Sequence, residues 1–348
     1  MGGNCAGNIL SILGYLFPGF LIYPIFMPAI SASAPGKVIL LGEHAVVYGQ
    51  PAIAVPVTQV RARAIVTAEP RQPAGSVRIQ APIIGLEARL AELPPQDPLA
   101  SAARLVFAEL GLSQPPALTI RVTSTIPVAA GLGSGAAVSV AIIRALSEFL
   151  GRRLPAERVS SLAYEVEKLH HGTPSGIDNT VIAYARPVYF VRQQDGDLLD
   201  TLRVAKPFTI LIADTGVPSP TAITVGDVRH AWQAEPDRYQ RLFSTVGRIV
   251  QAARAAIESG EIGSLGPMMD ENHALLREIG VSSPGLERLV GAAREAGALG
   301  AKLSGGGRGG NLIALVTPEI TGTVAQALRQ AGATGIIITE VGSGKDEG

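Results

Sequence analysis

The chain has 348 residues, with 29 lysines and arginines balanced by 29 aspartates and glutamates, 40 glycines, 25 prolines and one cysteine, Cys5. That length accommodates two domains with proper cores. The charge balance gives no electrostatic case for nucleic acid or an anionic membrane surface, and a lone cysteine excludes an internal disulfide and any cysteine-based metal cluster.

Glycine and proline are scattered, which suits a loop-rich α/β or α+β enzyme and not a fibrous or disordered chain. Residues 1–30 form a hydrophobic extension unlike everything after it. Residues 9–30 contain no charge and are just long enough to cross a bilayer. Yet Pro18, Pro24 and Pro28 interrupt them, and no basic residue precedes Lys37. Ala32-Ser33-Ala34 has the small-residue form of a cleavage site, but cutting there would remove part of the next strand. Met27 is read as the physiological start, and a hydrophobic anchor is the alternative.

Residues 38–41 read as a short apolar strand, and residues 45–48 as its resumption after Gly42-Glu43-His44. Lys37, Glu43 and His44 are polar residues at the ends of buried strands. Such positions aim into clefts or sit in ordinary surface turns. Alternation predicts strands over 60–67, 76–80 and 118–122, and helical spacing predicts a helix over 98–110. Then comes Ile126-Pro-Val-Ala-Ala-Gly-Leu-Gly-Ser-Gly-Ala-Ala137, ahead of a helical pattern over 138–150. A glycine-rich loop between a strand and a helix N-terminus is an anion site, because the free N–H groups of the first turn point at whatever the loop holds. No Gly-Lys-Ser/Thr follows, so it is not a Walker A loop. Gly131-x-Gly133-x-x-Ala136 fits the loose dinucleotide fingerprint, but Pro127 and the residues after it separate strand from glycine, where the fingerprint turns at once. A purely structural turn is the third reading.

Pro155 opens the next helix, whose stripe is Val159, Leu162, Ala163, Val166 and Leu169, with Gly172 ending it. Glu167 lies on the flank of that stripe, and Asp178 in the turn Thr173-Pro-Ser-Gly-Ile-Asp-Asn179. Two carboxylates beside bound phosphates suit one magnesium ligand and one base. Taken singly, they also read as a surface ion pair and a helix cap. A boundary near Lys206 precedes a buried strand over 208–214 and a rigid turn, Pro218-Ser-Pro-Thr221. Helical patterns follow over 223–232, 239–258, 268–279 and 285–296. Lys302-Leu-Ser304 leads into a second glycine loop, Gly305-Gly-Gly-Arg-Gly-Gly310, then a strand over 311–316, a helix over 325–330 and a strand over 335–340.

Pro35-Gly-Lys-Val-Ile-Leu-Leu-Gly-Glu-His-Ala-Val-Val-Tyr-Gly49, Pro127–Ala137 and Lys302–Gly310 resemble the three motifs of the GHMP kinases, the small-molecule kinases of galactose, homoserine, mevalonate and phosphomevalonate. Gly42–Gly49 and His171-Gly-Thr-Pro-Ser-Gly-Ile-Asp-Asn179 are similar to the members that act on mevalonate. The resemblance spans residues 31 to about 341. It implies an α+β, two-domain fold: an N-terminal domain (31–205) of the ribosomal protein S5 domain 2 type and a ferredoxin-like C-terminal domain (206–348). It implies ATP-dependent phosphorylation of (R)-mevalonate to 5-phosphomevalonate for isoprenoid synthesis, with Mg²⁺, in the cytoplasm, by a homodimer.

Carried over by the resemblance, Asp178 is the catalytic base and Lys37 its neighbour that steadies charge. ATP is bound by Pro127, Gly131, Leu132, Gly133, Ser134, Gly135, Ala136, Ala137, Gly305, Gly306 and Gly307. Glu167 and Ser134 hold the metal; Glu43, His44 and Thr221 face the substrate. Two positions depart from the pattern. Gly135 stands where the family has a magnesium-binding serine, and Arg308 where it has glycine. Another alcohol kinase of the family and a non-catalytic member are the alternatives. Lys37 and His44 are the only basic residues of the first motif, which favours an unphosphorylated alcohol.

Overall fold

The computed structural model describes residues 29–127, 130–171, 174–193, 196–219 and 221–342. Most of the hydrophobic extension (1–28), Met27 included, lies outside them, as do Gly172, Thr173 and Pro220.

The first half builds one sheet with helices packed on it. In order the elements are β1 (Ala29–Leu41), β2 (Pro51–Ala68), β3 (Val77–Ala81), β4 (Leu86–Arg89), α1 (Pro98–Glu109), β5 (Leu118–Ser124), α2 (Ser134–Phe149), α3 (Ala156–His171), α4 (Ile177–Tyr184), β6 (Val188–Val191) and β7 (Leu198–Thr201). The strand order is β4-β3-β5-β2-β6-β7, with β1 on β2. Among the described residues only β3 and β5, joined through α1, pair in parallel; the other pairs are antiparallel. The small residues of α2 explain its seat: Ala136, Ala137, Ala141 and Ala145 are fully or almost fully buried and let the helix lie close on β1 and β2.

The second half has β8 (Phe208–Asp214), α5 (Thr221–Ala234), α6 (Pro236–Ser259), α7 (Leu265–Ile279), α8 (Pro284–Glu295), β9 (Gly300–Ser304), β10 (Asn311–Val316), α9 (Pro318–Gln330) and β11 (Gly335–Val341). Its antiparallel sheet has the order β11-β8-β10-β9. That is the strand order of a ferredoxin-like unit, with four helices in the first crossover. One apolar core runs through both halves, from Ile79 and Ile120 to Leu211 and Ile313.

Two local expectations change. Residues 45–48 do not resume a strand; Ala45–Tyr48 is a turn of 3₁₀ helix ended by Gly49 at φ 77°. The chain leaves the sheet at Gly42, φ 101°, and His44, φ 59°, so no ladder can continue. The first strand is also longer than its apolar run. β1 starts at Ala29, and Ala32 and Ala34 pair with Ala64 and Ala62 of β2, so Ala32-Ser33-Ala34 lies within a strand. Among the described residues no helix is long and apolar enough to cross a membrane.

Candidate active site

The first glycine loop runs from β5 to α2. Ser124 Oγ accepts from the Ile126 N–H at 3.1 Å, which fixes the loop's exit from the strand. Lys37 N–H donates to the Leu132 carbonyl at 3.0 Å, tying the loop to β1. Gly133, at φ 72°, caps α2, and a Cβ there would lie 2.9 Å from Ile182 Cδ1 and 3.0 Å from Lys37 Cγ. Glycine is needed twice over: for the left-handed backbone and for the close approach of Lys37. No acidic residue stands in the first turn of α2, so its N–H dipoles remain available to an anion.

Lys37 Nζ meets Asp178 Oδ1 at 3.0 Å, with the lysine 7 % and the aspartate 32 % exposed. Asp178 sits in the first turn of α4, and Ile177, Val181 and Ile182 anchor that helix in the interior. Its orientation is set by a buried polar seam that sequence reasoning missed. Asn179 Nδ2 donates to Ser160 Oγ at 2.9 Å and to the Ser160 carbonyl at 3.1 Å, and Ser160 Oγ lies 3.1 Å from Thr180 Oγ1. Two polar residues directly after an aspartate on a short helix were the available signal. Glu167, on α3, is buried, and a Cβ on Gly135 would lie 3.3 Å from its Oε1. The carboxylate therefore faces the spot where the family's serine side chain begins.

The second glycine loop is the hairpin between β9 and β10, and it docks on the first half through four side chains. His44 Nε2 donates to the Gly306 carbonyl at 3.0 Å, and Ser304 Oγ donates to the Ile39 carbonyl at 2.7 Å. Asn311 Nδ2 donates to the carbonyl of Ala130 in the first loop. Lys302 pairs with Glu43, both buried. Burial raises the Glu43 pKa and lowers that of Lys302, and each charge opposes the shift of the other. Burial also pushes His44 down to about 4. Glu43 thus turns into an interior ion pair, while His44 holds the hairpin. Thr221, the first residue of α5, stands beside the loop: a Cβ on Gly306 would lie 2.5 Å from its Oγ1. Arg308 pairs with Asp227 of α5, and its N–H donates to the Val281 carbonyl at 2.8 Å.

An open cavity of about 680 Å³ adjoins the first loop on the β5 side, lined by Ser33, Arg61, Ile83, Ser124 and Thr125 among others. Sequence reasoning missed it, because its wall comes from four separate segments. Pro127 is exposed at the loop's start. Lys37, Asp178, Glu167 and the loop 130–137 therefore gather around the N-terminus of α2, with 305–307, His44 and Thr221 grouped on the hairpin side.

Residues 98–186 match the GHMP kinases N terminal domain, and residues 253–335 match GHMP kinases C terminal. The chain belongs to the GHMP kinase family. Within it, the chain is similar to mevalonate kinases. That of Thermococcus sibiricus is 38 % identical over 326 residues, covering 88 % of this chain and 94 % of the relative. That of Pyrococcus furiosus is 36 % identical over 331 residues, covering 89 % and 95 %. Among solved structures, L. major mevalonate kinase in complex with R-mevalonate is similar with a TM-score of 0.78 and 33 % identity, over 89 % of this chain and 95 % of that one. Methanococcus jannaschii mevalonate kinase, at 24 % identity and a TM-score of 0.76 over 90 % and 98 %, shares the fold.

Proposed function

We propose that this chain transfers the γ-phosphate of ATP to the primary hydroxyl of (R)-mevalonate, giving 5-phosphomevalonate and ADP. The observation that carries the reading is the Lys37–Asp178 pair, 3.0 Å apart beside the glycine loop at the N-terminus of α2. Asp178 accepts the hydroxyl proton as the substrate oxygen bonds to the γ-phosphorus, and the bridging oxygen leaves with ADP. Lys37 steadies the negative charge that spreads over the transferring group. Phosphoryl transfer needs such positioning and charge neutralisation more than covalent help.

The first loop, 130–137, cradles the phosphates through backbone N–H groups, and Gly305, Gly306 and Gly307 close on them from the hairpin. The open cavity beside Thr125 has room for the adenosine end, and Ile83, 60 % exposed, offers it an apolar surface. Glu167 and the Ser134 hydroxyl are hard oxygen donors at the phosphate loop, and they fit Mg²⁺. Among the described residues no group of three His, Cys, Asp or Glu side chains could hold a metal. Magnesium that arrives on ATP needs no such cage, since it keeps waters and takes only one or two carboxylates from the protein. When bound it would neutralise phosphate charge. Thr221 and His44, which holds the hairpin through the Gly306 carbonyl, stand on the alcohol side of the site, while Glu43 is turned away into its pair with Lys302. A cytoplasmic setting, where ATP is at hand, suits a chain with one cysteine.

A coupled assay of ADP release tests the reading, with mevalonate, phosphomevalonate, homoserine and galactose offered in parallel. Turnover confined to mevalonate and lost in Asp178→Asn supports it. Turnover on another alcohol overturns the substrate, and ATP binding without turnover on any overturns the activity.

A further inference from the structure

Arg308 interrupts a run of glycines. It adopts φ 58°, the left-handed region that residues with a Cβ avoid, while its neighbours Gly307 and Gly310 do so without penalty. A side chain kept in a disfavoured conformation points to a use for that side chain. Its surroundings say which. The loop it stands on carries Gly306, whose carbonyl accepts from His44 and whose Cα lies against Thr221. The Arg308 charge is felt at His44, where it adds to the downward push of burial.

Two other cations of this region, both lysines, are engaged. Lys37 is held by Asp178, and Lys302 is fully buried against Glu43. Arg308 is 36 % exposed, and its partner Asp227 is 48 % exposed. An ion pair that open to water is weak, so Asp227 orients the guanidinium without sequestering it. Asp227 engages Nη1, which leaves the N–H groups of Nε and Nη2 to donate to a carboxylate in the two-pronged manner that arginine favours.

We propose that Arg308 is a specificity-determining residue that binds the carboxylate of the alcohol substrate, so that the site selects a hydroxy acid over a neutral alcohol. The inference rests on the proposed function and names the group that recognises the acid end of that substrate.

Steady-state kinetics of Arg308→Gly and Arg308→Lys test it, with mevalonate and with its neutral carboxamide as acceptors. Glycine suits the backbone at 308, so Arg308→Gly folds and melts at or above the wild type. The expected result is a rise in the KM for mevalonate of about tenfold to a hundredfold, the worth of hydrogen bonds to a charged group. KM for ATP stays within about twofold, the preference for acid over amide collapses, and Arg308→Lys recovers part of the loss. An unchanged KM for mevalonate in Arg308→Gly, or a rise confined to ATP, refutes the assignment while leaving the proposed function intact. A wild-type protein that turns over only other alcohols refutes the proposed function, and this assignment with it.

Discussion

The buried pair Glu43–Lys302 offers a quantitative test of how the two halves are held. Lys302 is 0 % exposed and Glu43 about 1 %, and 259 residues of chain separate them. Replacing Lys302 by methionine keeps the volume but leaves the Glu43 carboxylate in an apolar interior. The cheapest response is for Glu43 to take up a proton. Holding a carboxyl of ordinary pKa 4.5 protonated at pH 7 costs about 3.4 kcal/mol. That agrees with the roughly 3–5 kcal/mol lost when one partner of a buried pair is removed. Urea unfolding at pH 7 should therefore show a loss of about 3 kcal/mol in Lys302→Met. In that variant the folded state binds a proton that the unfolded state releases, so its deficit should shrink as the pH falls towards 4.5. Lys302→Met combined with Glu43→Gln removes both charges and should recover most of the loss. A single-variant cost below about 1 kcal/mol, or a double variant as unstable as the sum of its singles, would refute the reasoning.

Asp178→Asn should cut turnover by about a hundredfold to ten-thousandfold, as loss of a general base does, while nucleotide binding by fluorescence titration stays intact. Gly135→Ser places a hydroxyl next to Glu167 Oε1 and should lower the magnesium concentration that gives half-maximal activity; an unchanged magnesium titration would count against Glu167 as a metal ligand. Burial pushes both His44 and His273 from 6.5 down to about 4. The unfolded chain then binds more protons between those values, so stability is present above pH 6.5 and lost as the pH falls towards 4, by up to about 3 kcal/mol per histidine. Urea midpoints across that range should fall less steeply in His44→Gln than in the wild type. Gly307→Ala combines φ 77° with a Cβ driven onto the Val281 carbonyl, and should lower the melting temperature together with the affinity for ATP.

Much of the chemistry was legible locally. A proline at the first helical position marks the starts of α1, α8 and α9, and Asp97 and Ser283 cap two of them by accepting from Ala100 and Leu286. Alternation gave β5 and a buried apolar run gave β8, each within a residue or two of its ends. The glycine loop before α2 and the carboxylates of α3 and α4 are short-range patterns, whereas Lys37, read as the end of a strand, lies inside β1. Each declares itself locally, the loop by its glycines ahead of a helix and the carboxylates by their place on or beside an apolar stripe, although the loop and the charges meet only in the fold. Residues 45–48 misled for the same local reason: their apolar run fits a strand as well as a buried turn, and only Gly42 and His44 at positive φ decide.

What the tertiary structure alone decided is the meeting of the two glycine loops. His44 on Gly306, Ser304 on Ile39, Asn311 on Ala130 and Glu43 with Lys302 each join residues 181 to 265 positions apart. Such contacts leave no periodicity in the sequence. A lysine inside the apolar strand β9 makes sense only once its carboxylate is in place, because a buried charge is tolerated through its partner and not through its neighbours in the chain.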